Sequence, residues 1–286
     1  MQRDRGLREV YALGRATEWT AALALWCDLQ PDMVTFTGEC LAHRAEIMLL
    51  HGAWRDALDE ARRACERFSR AIDRTAAALG FYQQGEIHRL RGDFDLAEGA
   101  YRSASQWGRQ PQPGLVLLRL AQGRADAAAT AIARMLGETT DRLQRARLLP
   151  AYVEITLATG DTRQARSACD ELTEIAASYR QGVLDAIAAQ ARGALQLAEG
   201  DAGAALISLR QACQTWRDVE APYHLACARV LVGLACRQLG DDEAAGWEPD
   251  AARSGFDGVG SRARRRPHRR AAGERRTGQP WRADRS

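Results

Sequence analysis

A glycine that returns at a near-constant interval constrains this chain more than any other feature. Gly14, Gly52, Gly92, Gly123, Gly160, Gly200 and Gly240 are separated by 38, 40, 31, 37, 40 and 40 residues. Five positions after the glycine stands an alanine in six of the seven cases: Ala57, Ala97, Ala128, Ala165, Ala205 and Ala245. Twelve positions after it stand Ala64, Ala104, Ala212 and Ala252, and seven before it Ala45, Gly85, Gly193 and Gly233. Between these marks the apolar residues follow a helical period, as with Phe94, Ala97, Tyr101 and Ala104. A glycine suits the left-handed residue just past a helix end, because it has no Cβ to clash there. Small residues at fixed offsets suit two helices that cross closely. The unit is therefore a helical hairpin, repeated along the chain. At Asp93, next to Gly92, a carboxylate is placed to accept hydrogen bonds from the first free N–H groups of the second helix.

This spacing predicts helices near 6–13 and 16–29, closed by Pro31, then pairs at 38–50 and 54–69, 75–90 and 94–107, and 114–121 and 125–136. Further pairs are expected at 143–158 and 162–178, 182–198 and 202–217, and 222–238 and 242 onward. Pro111, Pro113 and Pro222 fall between units or in first turns, where a missing N–H costs little. Pro150 falls inside a predicted helix, which it should kink or delay. No segment alternates β-branched residues as strands do. The expected fold is all-α, a right-handed α-solenoid of about six antiparallel helix pairs, over residues 1–249. Gly246, Trp247 and Pro249 interrupt the last helical pattern, so residues 250–286 are expected to be a disordered Arg-rich tail.

Charge sharpens this division. All 40 basic residues are Arg, since the chain has no Lys. Walker-type phosphate loops, Schiff-base chemistry and the kinase lysine are thereby excluded. Residues 1–249 carry a net −4 and residues 250–286 a net +7. The repeat body has no general electrostatic footprint for nucleic acid, whereas the tail suits weak, nonspecific phosphate contact. Seven scattered cysteines, with no C-x-x-C pair, read as reduced core thiols rather than a disulfide or zinc framework. The first 20 residues do not read as a signal peptide and no run of 18 apolar residues occurs, so a cytoplasmic protein with no membrane partner is expected.

The G-D-F-x-x-A string at Gly92–Ala97, with its flanking small residues, is similar to the tetratricopeptide repeat, with a period longer than the usual 34 residues. Longer strings resemble one group of large LuxR-type transcription regulators of GC-rich bacteria. They are EWTAALALWCDLQPD at 18–32, CLAHRAEIMLLHGAW at 40–54, FYQQGEIHRLRGDF at 81–94 and QPGLVLLRLAQGR at 112–124. RARLLPAYVEI at 145–155 and EAPYHLACARVLVGLACRQLGD at 220–241 continue the likeness, which spans about residues 11–245. In such regulators helical repeats precede a helix-turn-helix domain opening with a string like LTxRExEVL. This chain has no such string, so DNA binding is expected only through a domain absent from it. The resemblance implies a non-enzymatic regulatory region; a standalone interaction adaptor and a non-functional truncated fragment are the alternatives.

No G-x-S-x-G or H-E-x-x-H string occurs, and the histidines lack metal-ligand spacing. Neither a catalytic site, a metal site nor a cofactor is expected. The remaining candidate surface is the concave face lined by the first helix of each pair, which in helical solenoids takes a peptide or a partner protein. Glu46, Glu86, Glu154 and Gln190 are its expected polar positions, with Tyr82, Arg89, Arg147 and Arg237 beside them. A face of carboxylates and guanidiniums suits a charged partner, or its members pair with one another.

Overall fold

The structure, a computed structural model, describes residues 34–68, 74–179 and 182–261. The expected first pair, Gly14 and the Arg-rich segment after Ser261 lie outside these residues. Twelve helices follow in order: α1 (Val34–Leu50), α2 (Trp54–Phe68), α3 (Arg74–Arg91), α4 (Phe94–Gln106), α5 (Gly114–Ala121), α6 (Ala125–Glu138), α7 (Arg142–Thr159), α8 (Thr162–Tyr179), α9 (Gly182–Ala198), α10 (Ala202–Asp218), α11 (Pro222–Gln238) and α12 (Asp242–Gly258). They pack as six successive hairpins into an all-α solenoid, and no strand occurs among the described residues.

The recurring glycines make the corners. Gly52, Gly92, Gly123, Gly160, Gly200 and Gly240 all have φ between 80° and 90°. At each one the next residue's N–H bonds back across the helix end, as from Asp93 to the His88 carbonyl at 2.9 Å. That closes carbonyls a helix terminus otherwise leaves unpaired. Asp161, Asp201 and Asp241 then cap the following helix, each accepting from a backbone N–H at 3.0 Å. Asp93 does not cap. Its carboxylate faces His88 Nδ1 instead, at 3.9 Å.

The small residues sit at the crossings. Ala57, Ala97, Ala128, Ala165, Ala205, Ala64, Ala104, Ala212 and Ala252 are fully buried. A Cβ on Gly85 would stand 2.4 Å from the Tyr101 ring, and one on Gly193 would stand 2.5 Å from Leu209. Both lie inside real contact distances, so these hairpins admit no larger side chain.

Three expectations need correction. Pro150 lies within α7, which runs unbroken from Arg142, so the helix is not delayed. The pattern does not end near residue 249. Helix α12 continues through Gly246, Trp247 and Pro249 to Gly258, and buries Ala245, Ala252 and Phe256. The boundary between residues 249 and 250 therefore falls inside a packed helix, where Pro249 stands against Gly233 of α11.

The third concerns the stack as a whole. Its last hairpin returns to its first. Trp54, Ala57 and Leu58 of α2 share one core cluster with Tyr223, Ala226 and Cys227 of α11 and with Ala252 and Phe256 of α12. The Trp54 and Tyr223 rings lie 5.5 Å apart. Ser261 Oγ donates to the Leu90 carbonyl at 2.7 Å, and His51 Nδ1 reaches the Glu220 carbonyl at 3.3 Å. The corner at Gly52 meets Pro222 and Val259, the opposite edge of the last hairpin from its own corner at Gly240. The stack thus closes end to edge instead of leaving an open trough.

Candidate ligand site at the centre of the stack

The first helices of four hairpins contribute residues to one centre. Helix α3 contributes Tyr82, Glu86 and Arg89, three positions on successive turns of one face. Glu86 accepts from Arg89 at 2.7 Å and also from the Tyr101 hydroxyl on α4. Gly114, the first residue of α5, packs directly on this pair, since an added Cβ would overlap both Glu86 Oε1 and the Tyr101 hydroxyl. From α1 come His43 and Glu46, 3.7 Å apart. From α7, on the fourth hairpin, Arg147 reaches Glu46 at 3.8 Å. Arg109, in the loop between α4 and α5, lays its guanidinium over the Tyr82 ring at 4.7 Å.

The electrostatics follow from this crowding. Burial alone would raise the Glu46 carboxyl, but the His43 hydrogen bond and the Arg147 charge outweigh it and hold the group below its ordinary range. The same hydrogen bond raises His43 above its ordinary value, against the opposing effect of burial. Burial opposes charge on Arg89 too, yet Glu86 and Tyr101 more than offset it. The Tyr82 phenol is pushed up by burial and by Glu86, so it stays neutral. Arg109 is pulled down by burial and by the repulsion of Arg147.

Of the eight inner-face residues expected from the sequence, the structure gathers Glu46, Tyr82, Glu86, Arg89 and Arg147. Gln190 and Arg237 sit on other helices, and Glu154 lies farther along α7. Gln190 accepts from Trp216 Nε1 at 2.8 Å, at the α9–α10 interface. Glu154 is half-buried on α7, two turns beyond Arg147. Arg237 is exposed in the last turn of α11. Sequence reasoning missed His43, Tyr101 and Arg109. Tyr101 read only as a core position, and Arg109 follows Gly108, a corner outside the recurring set that also takes the left-handed conformation, at φ 90°.

No group of three or more His, Cys, Asp or Glu among the described residues forms a metal site. No helix of the described residues is long and apolar enough to cross a membrane. The described cysteines form no disulfide, and burial pushes Cys65 and Cys169 up to about 12. No protein-family model and no curated protein matches the chain. Among solved structures, BtubC (BKLC) from P. vanneervenii is similar over 98% of each chain, with 16% identity and a TM-score of 0.36.

Proposed function

We propose that this chain is the regulatory, non-enzymatic helical-repeat region of a LuxR-type transcription regulator, sensing a partner or ligand at the centre of its stack. The likeness of the strings at 18–32, 40–54, 81–94, 112–124, 145–155 and 220–241 supports the regulatory part. The observation that carries the sensing part is the meeting of Glu46, Tyr82, Glu86, Arg89 and Arg147 from α1, α3 and α7. Side chains from hairpins far apart in the chain share one polar centre, so an occupant there contacts several repeats at once. In a solenoid, whose units couple through their neighbours, this is a route from occupancy to the shape of the whole stack. DNA contact in this reading belongs to a helix-turn-helix domain outside these repeats.

The test compares transcript levels in a strain lacking the gene, in the parent, and in one carrying Glu86→Arg with Arg89→Glu. A regulator predicts a defined set of transcripts that changes on deletion and fails to recover with the double variant. Identical profiles in the deletion strain and the parent would overturn the regulatory role.

A further inference from the structure

The centre of the stack gathers three guanidiniums, one of which is left with an unpaired donor. Arg89, Arg109 and Arg147 meet there with two carboxylates, Glu46 and Glu86. A third carboxylate, Glu39, also acts on His43. The pairing is uneven. Glu86 is taken by Arg89 and the Tyr101 hydroxyl. Glu46 lies between His43 and Arg147. Arg109 is left with the face of Tyr82, and its buried Nε has no hydrogen-bond partner among the described residues. A buried donor without an acceptor is costly, and more so when it belongs to a charged group. Structures keep such a group where something else satisfies it.

We propose that the centre binds a small oxyanion, a carboxylate or phosphate group, on the Nε–Nη edge of Arg109, with Arg147 supplying a second positive charge. The edge of a guanidinium presents two parallel donors, the geometry that two oxygens of one carboxylate or phosphate accept. Contact with the Tyr82 ring limits the guanidinium's freedom, so less remains to be lost on binding. Glu46 and Glu86 are already engaged by other cations, which screens an incoming anion from them. The occupant is small, because Arg147 of the fourth hairpin already approaches Glu46 of the first at 3.8 Å. This rests on the sensing role proposed above and names its ligand class.

Calorimetric titration and thermal unfolding of the full chain test it, with sodium phosphate and sodium succinate as separate probes and sodium chloride holding ionic strength constant. A saturable response to phosphate alone assigns a free phosphate group, and one to succinate alone assigns a carboxylate; either supports the site. Arg109→Gln is expected to weaken the responding anion about tenfold or more. It should leave the melting temperature of the ligand-free protein unchanged or higher, because it removes an unpaired buried charge. Arg253→Gln makes the same charge change on exposed α12 and should titrate like the unaltered protein. A response no greater than to chloride for both anions, or one shared by Arg109→Gln, overturns the site. Either result leaves the transcript comparison standing, so the two ideas fail separately.

Discussion

Glu220 adopts φ 52°, the one non-glycine residue in the left-handed region among those described. It closes α10 as the glycines close other helices, with the Ala221 N–H bonded back to the Trp216 carbonyl at 2.9 Å. A Cβ in that conformation costs about 1–2 kcal/mol, against about 0.5–1 kcal/mol of extra chain entropy for glycine. The side chain is exposed, so little else is lost by removing it. Glu220→Gly should therefore raise stability by about 0.5–1 kcal/mol, read as a higher urea midpoint at constant slope; a lower midpoint would refute the strain. His43 and Glu46 set a pH dependence of defined sign. His43 is raised above 6.5, so its contribution is complete below 6.5 and fades as pH rises through the folded value. Glu46 is lowered below 4.5, so its contribution is complete above 4.5 and fades as pH falls through the folded value. The stability difference between the protein and His43→Gln should be largest between these limits and shrink above them. His43 is 43% exposed, so the difference is small. A difference that grows toward pH 8 would contradict the assignment.

At the scale of the helix pair, two glycines separate propensity from packing. Both Gly85 in α3 and Gly99 in α4 lie inside helices, where alanine is intrinsically better by about 1 kcal/mol. A Cβ on Gly99 meets nothing within 4 Å, whereas one on Gly85 falls 2.4 Å from the Tyr101 ring. Gly99→Ala should thus gain about 0.5–1 kcal/mol. Gly85→Ala should lose about 1–3 kcal/mol, since a ring already fixed by Glu86 cannot step aside. Chemical denaturation of the two variants decides; equal shifts would mean that the crossing is not tight. The same contrast explains what the sequence disclosed. Corner glycines and crossing alanines are demanded by backbone sterics at fixed offsets, so they recur and place every described helix within a few residues. Gly246, Trp247 and Pro249 look like an interruption because propensity disfavours them. Packing of Ala252 and Phe256 against the first hairpin overrides that local preference.

For the molecule as a whole, the repeat pattern carries no information about how many units complete a turn, so closure was not legible. The inner-face register found Glu46, Tyr82, Glu86, Arg89 and Arg147 because it follows from helical spacing within each hairpin. It also offered Gln190 and Arg237, since nothing local tells a helix that faces the centre from one that faces its neighbour. Arg109 stayed hidden because it belongs to a loop, where no helical spacing points inward. Closure itself makes a long-range prediction. In an open solenoid each unit couples only to its neighbours, so a defect in the sixth hairpin fades before it reaches the first. Here Tyr223 of α11 is buried against Trp54 of α2 and Phe256 of α12. Truncating such an aromatic side chain costs about 3 kcal/mol or more. Tyr223→Ala should therefore reduce amide protection in α1 and α2, nearly the full chain away, as well as in α11 and α12. Protection in α5 and α6, which take no part in the seam, should change least. Hydrogen exchange with fragment-level readout distinguishes the two shapes. Loss confined to α10–α12, with α1 and α2 as protected as before, would show that the stack is open and that its charged centre is not enclosed.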